Sequence, residues 1–331
     1  PPAMRPPEFW QAGNKSPWPT LLLPLGLAWH AGALMRQRLG RPVRAGVPVV
    51  CIGNLVAGGA GKTPTVIAVA RRLEQRGHRP HIVSRGYGGQ LHGPLPVDTR
   101  RHNARQVGDE ALLLAVVAPT WVARDRGAGA LAAAAAGADV IVLDDGHQNP
   151  TLRKDLSFVV IDAEFGHGNG RLIPAGPLRE PVADGLARAD AVVLIGGGEA
   201  ARGKLLGTAR ADLPLLRAEL LPAAGREAIA GKKVVAFAGI GRPEKFFASL
   251  RALGCRIVFA HHFPDHHPYT PDDIMRIVEA ATAEAAVPVT TAKDWVRLSP
   301  EARQMVQALD VELRFAEEAA LDRLLAPIDH E

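Results

Sequence analysis

A glycine-rich loop that carries a lysine and a threonine is the segment of this 331-residue chain best suited to chemistry. The β-branched run VPVVCIG at 47–53 leads into NLVAGGAGKT, and a helical pattern follows. When a strand, a glycine-rich loop and a helix follow each other, the loop's backbone amides close around phosphate oxygens and the helix N-terminus adds partial positive charge. The loop lysine reaches the terminal phosphates, and the threonine hydroxyl holds Mg²⁺. Val56 stands where the strict pattern has glycine, and the alternative is a glycine-rich turn with an exposed lysine. The predicted nucleotide-binding residues are Gly58, Gly59, Ala60, Gly61, Lys62 and Thr63.

An acidic pair follows a second hydrophobic strand. The run VIVL ends in Asp144 and Asp145, and Gly146 comes next. Carboxylates at the carboxyl end of a parallel strand lie beside a phosphate loop, where they bind Mg²⁺ directly or through water. The sequence therefore predicts a metal site formed by Thr63, Asp144 and Asp145, the alternative being an ordinary Asp-Gly turn.

Two short segments separate the classes of nucleotide-dependent protein. Guanine-reading GTPases need an Asn/Thr-Lys-x-Asp element, whereas Lys293 and Asp294 are adjacent here. Partner-dimerising ATPases of the deviant-loop class begin the loop with lysine, where this chain has Ala57. Both differences favour an ATP-using phosphotransferase.

The elements around these residues alternate between strand and helix patterns from Gly46 onwards. This alternation predicts a parallel sheet with helices on both faces. Weak signals at 196–231 predict a linker, after which a second α/β series begins. The predicted strands are 47–53, 81–84, 120–123, 139–143, 156–161 and 191–195 before the linker, and 233–238, 256–260, 288–291 and 311–315 after it.

The N-terminal part is apolar. From Ser16 to Met35 there is no Asp, Glu, Lys or Arg, and basic residues bracket the segment. Its length approaches the roughly 20 apolar residues that cross a bilayer core, but three prolines crowd its first half and two tryptophans suit the membrane interface. We expect an interfacial helix attached to anionic lipid by the arginines that follow it, the alternative being a buried first helix. These arginines are Arg36, Arg38, Arg41 and Arg44.

Composition excludes several classes of protein. With 47% hydrophobic and 22% charged residues the chain is globular, and its two cysteines offer neither a disulfide framework nor a cysteine-based zinc site. A reducing compartment is therefore expected. The net charge of +5 comes from arginines scattered along the chain, which predicts an anionic partner and no nucleic acid.

Eight motifs, taken in order and spacing, resemble the tetraacyldisaccharide 4'-kinase family of lipid A biosynthesis. The resemblance runs from about Asn14 to about Leu298 and implies transfer of the ATP γ-phosphate to the 4'-hydroxyl of a tetraacylated glucosamine disaccharide 1-phosphate. It also implies two α/β/α domains around a cleft and an N-terminal helix that touches the membrane. The motifs are GNLVAGGAGKTP, SRGYGG, GDEALLLA, DDGHQN, GNGRLIPAGPLRE, AGIGRPEKFF, FPDHHPY and TAKD.

The same resemblance implies roles for individual residues. Asp109 and His266 correspond to an acid/base pair near the attacking hydroxyl, and Lys62 is the third residue expected in catalysis. Without the resemblance, Asp109 could equally be a helix N-terminal charge. The histidine cluster 261–267 could be a solvated loop or a chance metal-like group. The implied substrate-binding residues are Arg85, Arg126, Asn169 and Arg179.

Two positions depart from the family pattern. Ala292 stands where glutamate is expected in TEKD, so no role of that carboxylate applies here, and Ala111 stands where proline is expected after Asp-Glu.

The full expectation is a P-loop kinase-like α/β fold with a smaller second α/β domain. The expected division is a membrane-interacting segment at 1–45, a nucleotide-binding domain at 46–215 and a domain closing the cleft at 216–331. ATP is the expected phosphoryl donor, and Mg²⁺ is the expected metal ion. The protein is expected at the cytoplasmic face of the bacterial inner membrane, with no obligate protein partner. The competing hypothesis is a nucleotide-switched ATPase or binding protein without a small-molecule acceptor.

Overall fold

The computed structural model describes residues 7–197, 203, 205–207, 209–223 and 226–330. Part of the expected linker at 196–231 therefore lies outside the described residues, as do the first six residues of the N-terminal segment.

Across these ranges nine strands form one large sheet in the order β13-β8-β7-β6-β1-β5-β2-β4-β3. The strands from β8 to β4 run parallel, whereas β13 and β3 are antiparallel edges. Central strands such as β1, β5 and β7 are buried on both faces, as their continuous apolar runs predict. The bounds are β1 Val49–Gly53, β2 Pro80–Ser84, β3 Leu95–Pro96, β4 Thr120–Val122, β5 Val140–Asp144, β6 Leu156–Asp162, β7 Ala191–Ile195, β8 Leu215–Pro222 and β13 Val311–Phe315.

Helices cover both faces of this sheet. The amphipathic helix Lys62–Gln75 packs Val66, Val69 and Leu73 into the core on one face, which it shares with the C-terminal helix Glu318–Leu325. The alanine-rich helix Arg126–Ala135 packs on the opposite face. The other described helices of this unit are Ala104–Val107, Asp109–Ala115 and Val182–Ala187. The predicted parallel sheet with helices on both faces is confirmed.

A second, smaller sheet has the order β10-β9-β11-β12 and is parallel throughout its described strands. Apolar clusters lie on both of its faces. The helix Pro271–Ala283 follows Thr270, whose side chain accepts a hydrogen bond from the Asp273 amide while the Asp273 side chain accepts one from the Thr270 amide. The elements are β9 Lys233–Ala238, β10 Arg256–His262, β11 Val287–Thr291, β12 Gln307–Leu309 and the helices Pro243–Ala252, Pro271–Ala283, Ala292–Trp295 and Pro300–Met305.

Membership of the two sheets differs from the sequence expectation at two strands. Strand β8 lies inside the stretch expected to be a linker, and it alternates buried Leu216 and Ala218 with exposed neighbours. Strand β13 was expected in the second α/β series, but it pairs with β8 in the large sheet. Both expectations are therefore wrong at these strands, because a strand gains its stability from packing against partners that are remote in sequence.

A small apolar cluster joins the two units. It contains Val107 and Leu112 from the first unit and Val296 from the second, with Trp295 packed against it. This contact fixes the helix Asp109–Ala115 against the helix Ala292–Trp295 and so sets the geometry of the cleft between them.

The N-terminal segment forms the helices Trp18–Leu21 and Leu23–Leu39, and the second of these packs on the first unit only at a few points. A Cβ on Gly26 would meet Leu172, and the Trp29 indole donates a hydrogen bond of 3.2 Å to the Arg179 carbonyl. The alternative of a buried first helix is wrong, because large apolar side chains stay exposed along both helices of this segment. They include Leu21, Leu25, Leu27, Met35 and Leu39. None of the helices in the described ranges combines the length and the apolar character needed to span a bilayer.

Candidate active site

The phosphate loop connects β1 to the helix Lys62–Gln75, as predicted. Gly61 ends the loop with a φ of 85°, a conformation that side chains disfavour, and a Cβ there would also collide with Ile195. The buried Asn54 side chain donates to the Val56 carbonyl at 2.8 Å and holds the start of the loop. Gly61 and Asn54 therefore hold the conformation of the loop, and its last residues lead directly into the N-terminus of the helix.

The loop lysine points at the acid pair. Lys62 Nζ lies 3.8 Å from Asp145 Oδ1 and donates to Asn54 Oδ1 at 3.3 Å. Arg179 holds the same carboxylate through two hydrogen bonds of 2.7 and 3.0 Å. Burial by itself would raise the pKa of Asp145, but the charges of Lys62 and Arg179 outweigh it and hold that pKa at about 2. Asp145 is thus ionised and has two cationic partners.

Asp144 has the opposite electrostatic environment. It is the last residue of β5, is fully enclosed and accepts a hydrogen bond of 2.9 Å from Ser84. Burial, together with the nearby carboxylates of Glu110 and Asp145, raises its pKa to about 7. Excess negative charge in a buried position is relieved by a cation, so these residues suit a divalent ion. No group of three acidic, histidine or cysteine side chains within the described residues is arranged to hold a metal ion without further ligands.

Asp109 and His266 meet across the cleft between the two units. His266 Nδ1 lies 2.8 Å from Asp109 Oδ2, although 157 positions separate the residues in sequence. Burial acts to raise the pKa of Asp109, but the His266 hydrogen bond and the charges of Lys293 and Arg297 lower it to about 2. His266 has a positive φ of 56°, an uncommon conformation for histidine, and its amide donates to the Gly239 carbonyl.

Cations of the second unit surround this pair. Lys293 lies 3.0 Å from Glu110, and Arg297 Nε lies 3.6 Å from Asp109. Arg297 also forms an ion pair of 2.7 Å with the buried Asp294. Because Glu110 in turn raises the pKa of Asp144, one electrostatic network runs from the acid pair to the Asp109–His266 pair.

The other histidines of the expected cluster have different partners. His267 bonds to Asp273 at 3.0 Å and stacks on Phe263, while His262 packs edge-on against Phe247. Of the cluster, His266 is thus the residue that pairs with Asp109.

The four expected substrate-binding residues separate into two groups. Arg126 is buried, its Nε has no hydrogen-bond partner within the described part of the chain, and burial and Arg85 lower its pKa. Arg126 and Arg179 both lower the pKa of Asp145, and the exposed Arg85 in turn acts on Arg126.

The side chain of Asn169 hydrogen-bonds to the backbone of Phe9, Ala175 and Arg171. Its side chain is occupied in holding the N-terminal segment against the loop.

Comparisons with known proteins identify the family. A model described as "Tetraacyldisaccharide-1-P 4'-kinase" matches residues 18–328. A tetraacyldisaccharide 4'-kinase from Rhodospirillum centenum is 54% identical over 329 residues, covering 98% of this chain and 97% of that protein. The chain belongs to this family. A tetraacyldisaccharide 4'-kinase from Rhodospirillum rubrum is 53% identical, covering 97% of this chain and 98% of the relative.

A solved structure agrees with this assignment. The "apo" form of LpxK from Aquifex aeolicus, in complex with ATP, superposes with a TM-score of 0.76 at 27% identity, covering 94% of this chain and 99% of that one. This member of the tetraacyldisaccharide 4'-kinase family is therefore an ATP-dependent kinase acting in lipid A biosynthesis. The hypothesis of a nucleotide-switched binding protein is not favoured.

Sequence reasoning missed three charged residues of the site, namely Glu110, Lys293 and Arg297. Glu110 directly follows Asp109 in the motif GDEALLLA, and Lys293 lies in TAKD. Both motifs were visible in the sequence, but nothing in their spacing indicated that they meet at 3.0 Å.

Proposed function

We propose that this kinase transfers the ATP γ-phosphate to the 4'-hydroxyl of a tetraacylated glucosamine disaccharide 1-phosphate in the cleft between its two units. The observation that carries the proposal is the hydrogen bond between Asp109 and His266, which joins the two units at one end of the charged network. The acid pair and the phosphate loop lie at its other end.

The phosphate loop holds the donor in this proposal. Backbone amides of Gly58, Gly59, Ala60 and Gly61 surround the phosphates, and Lys62 neutralises charge on the transferring group. Mg²⁺ would be held by Thr63, Asp144 and Asp145, where it supplies positive charge to the phosphate oxygens. The raised pKa of Asp144 supports this placement, because a nearby divalent ion would compensate the crowded carboxylates.

The Asp109–His266 pair takes the proton of the attacking hydroxyl. Asp109 is only 3% exposed, and its two oxygens accept from His266 and from the Glu110 amide at 2.9 Å. A carboxylate held in this way orients the imidazole, and Nδ1–H donation leaves Nε2 with a free lone pair. His266 is about one-quarter exposed, and its Nε2 lies 4.0 Å from the nearest carboxylate, Asp265. Nε2 is therefore the proton acceptor available to the acceptor sugar.

Positive side chains beside the acid pair bind the phosphorylated acceptor. Arg85, Arg126 and Arg179 supply guanidinium groups, which match phosphate oxygens in a bidentate manner, and Arg179 would exchange its two Asp145 hydrogen bonds for the anion. The unpartnered Nε of the buried Arg126 supports this role, since a buried donor is stabilised by an anionic partner. Asn169 is given no substrate contact, because backbone groups occupy its amide.

The N-terminal helix brings the enzyme to its lipid substrate. Exposed leucines on Leu23–Leu39 and the arginines that end the helix would lie at an anionic membrane surface. We place the protein peripherally at the cytoplasmic face of the inner membrane, where an acylated acceptor is accessible.

The test is acceptor-dependent turnover of ATP. Purified protein with Mg²⁺ and γ-labelled ATP is mixed with micelles containing tetraacyldisaccharide 1-phosphate, and the matched control is the same lipid lacking the 4'-hydroxyl. We expect label in the first lipid and none in the second. ATP hydrolysis that is equally fast without any lipid would contradict the proposal and support a nucleotide switch.

A further inference from the structure

Arg242 reaches from the second unit to the phosphate loop. It lies in the motif AGIGRPEKFF, directly before the helix Pro243–Ala252. Its Nη2 donates to the Gly59 carbonyl, and its Nη1 donates to Asp162 Oδ2 at 3.0 Å. The guanidinium also lies 4.9 Å from the centre of the Phe165 ring. Three contacts therefore fix the plane and position of this side chain.

The Gly59 contact determines the direction of a loop amide. The Gly59 carbonyl and the Ala60 N–H belong to one planar trans peptide group, so they point in opposite directions. Holding the carbonyl towards Arg242 turns the Ala60 N–H away from the second unit. The glycines themselves do not restrict this rotation, because Gly58 and Gly59 have open space around their Cα atoms and the backbone freedom of glycine.

We infer that Arg242 is a positioning residue for ATP, which orients the Ala60 N–H towards the nucleotide phosphates through the Gly59 carbonyl. The inference rests on the proposed role of the loop in holding phosphate. Arg242 does not touch the reacting atoms in this arrangement. Its effect is on how tightly the loop binds ATP, and not on the proton transfer at the acceptor.

The planar guanidinium of arginine suits this bridging contact because its donors have a fixed geometry. One nitrogen bonds the loop carbonyl while the other is held by Asp162, the last residue of β6, which neighbours β1. A lysine ammonium has no such fixed pair of donors, so it would keep the charge and lose the geometry. The nearby Lys245 provides a matched control, because it bonds the same Asp162 oxygen at 2.8 Å and Glu164 at 2.7 Å.

The experiment compares Arg242→Met, Arg242→Lys and Lys245→Met in the full-length protein. For Arg242→Met we expect the KM and the dissociation constant for ATP to rise about tenfold, which corresponds to about 1.4 kcal/mol. The kcat and the KM for the lipid acceptor should stay within about twofold, since a contact that acts equally on bound ATP and the transition state changes KM alone. Arg242→Lys should resemble Arg242→Met, and Lys245→Met should resemble the unsubstituted protein.

Two outcomes overturn the inference. Unchanged ATP binding in Arg242→Met would show that the loop orients itself without the guanidinium. An equal loss in Lys245→Met would show that the Asp162 contacts merely attach the second unit. Lys62→Ala separates this inference from the proposed function. If ATP binds Lys62→Ala as tightly as the unsubstituted protein, the loop assignment is refuted. If Lys62→Ala weakens ATP binding and Arg242→Met does not, only the role of Arg242 is refuted.

Discussion

Replacing Asp109 by asparagine tests whether the inter-unit pair is a catalytic unit. Asparagine keeps the volume of the side chain and removes its charge, which matters because this carboxylate is only 3% exposed. The two neighbouring cations would not become unpaired. Lys293 keeps Glu110 at 3.0 Å, and Arg297 keeps Asp294 at 2.7 Å.

The expected loss of stability follows from these contacts. The substitution weakens one charge-assisted hydrogen bond, to His266 at 2.8 Å, and such bonds contribute about 1.5–3 kcal/mol. Leaving a buried charge without a partner would cost about 3–5 kcal/mol, but the remaining ion pairs prevent this. Asp109→Asn should therefore fold, with its free energy of unfolding lowered by about 1.5–3 kcal/mol.

The expected loss of activity is larger. Loss of general-base catalysis, through His266 itself or through the carboxylate that orients it, typically lowers the rate by about 10²–10⁴-fold, and a hundredfold loss raises the barrier by about 2.7 kcal/mol. We expect kcat to fall at least a hundredfold in Asp109→Asn and in His266→Ala. The KM for ATP should change little, because neither side chain contacts the phosphate loop.

The assay is a double-mutant cycle on steady-state phosphorylation of the lipid, with urea unfolding of each variant as the control for folding. Residues that act on one proton are non-additive, so the double variant should be scarcely slower than either single variant. Fully multiplicative losses, or a His266→Ala variant with unaltered kcat, would refute the reasoning and leave His266 with a structural role.

Three further predictions concern the membrane, acid stability and the metal. The double variant Leu25→Gln, Leu27→Gln should move the protein from the membrane to the soluble fraction, since both leucine side chains are exposed. It should raise the KM for micellar lipid and leave the KM for ATP unchanged. Equal effects on the two KM values would contradict an interfacial role. The pKa of Asp109 is lowered to about 2 from 3.8, so its stabilisation of about 2 kcal/mol is present above pH 4 and is lost between pH 4 and 2. Urea unfolding should show a smaller loss over that interval in Asp109→Asn than in the unsubstituted protein; parallel curves would count against this assignment. Asp144→Asn should raise the Mg²⁺ concentration needed for half-maximal rate severalfold, because it removes one negative charge from the proposed metal site; an unchanged Mg²⁺ requirement would exclude Asp144 as a ligand.

The sequence alone determined the features that depend on neighbouring residues in the chain. A strand, the loop GGAGKT and a helix follow each other within about 30 residues, so the nucleotide-binding element could be predicted from spacing. The same is true of the buried strand that ends in Asp144. The apolar segment from Ser16 to Met35 was also evident, because the absence of charge is a property of composition.

Only the tertiary structure decided which distant residues meet. Strand β13 joins the large sheet through pairing with β8, and no periodicity within either strand identifies its partner. The Arg242 contact with Gly59 spans 183 positions, so it depends on how the two units pack. Likewise, the cluster around Trp295 brings Lys293 to Glu110 by burying apolar surface between units. Hydrophobic burial is non-directional, and the pairing of charges across the cleft therefore emerges only when the whole chain has packed.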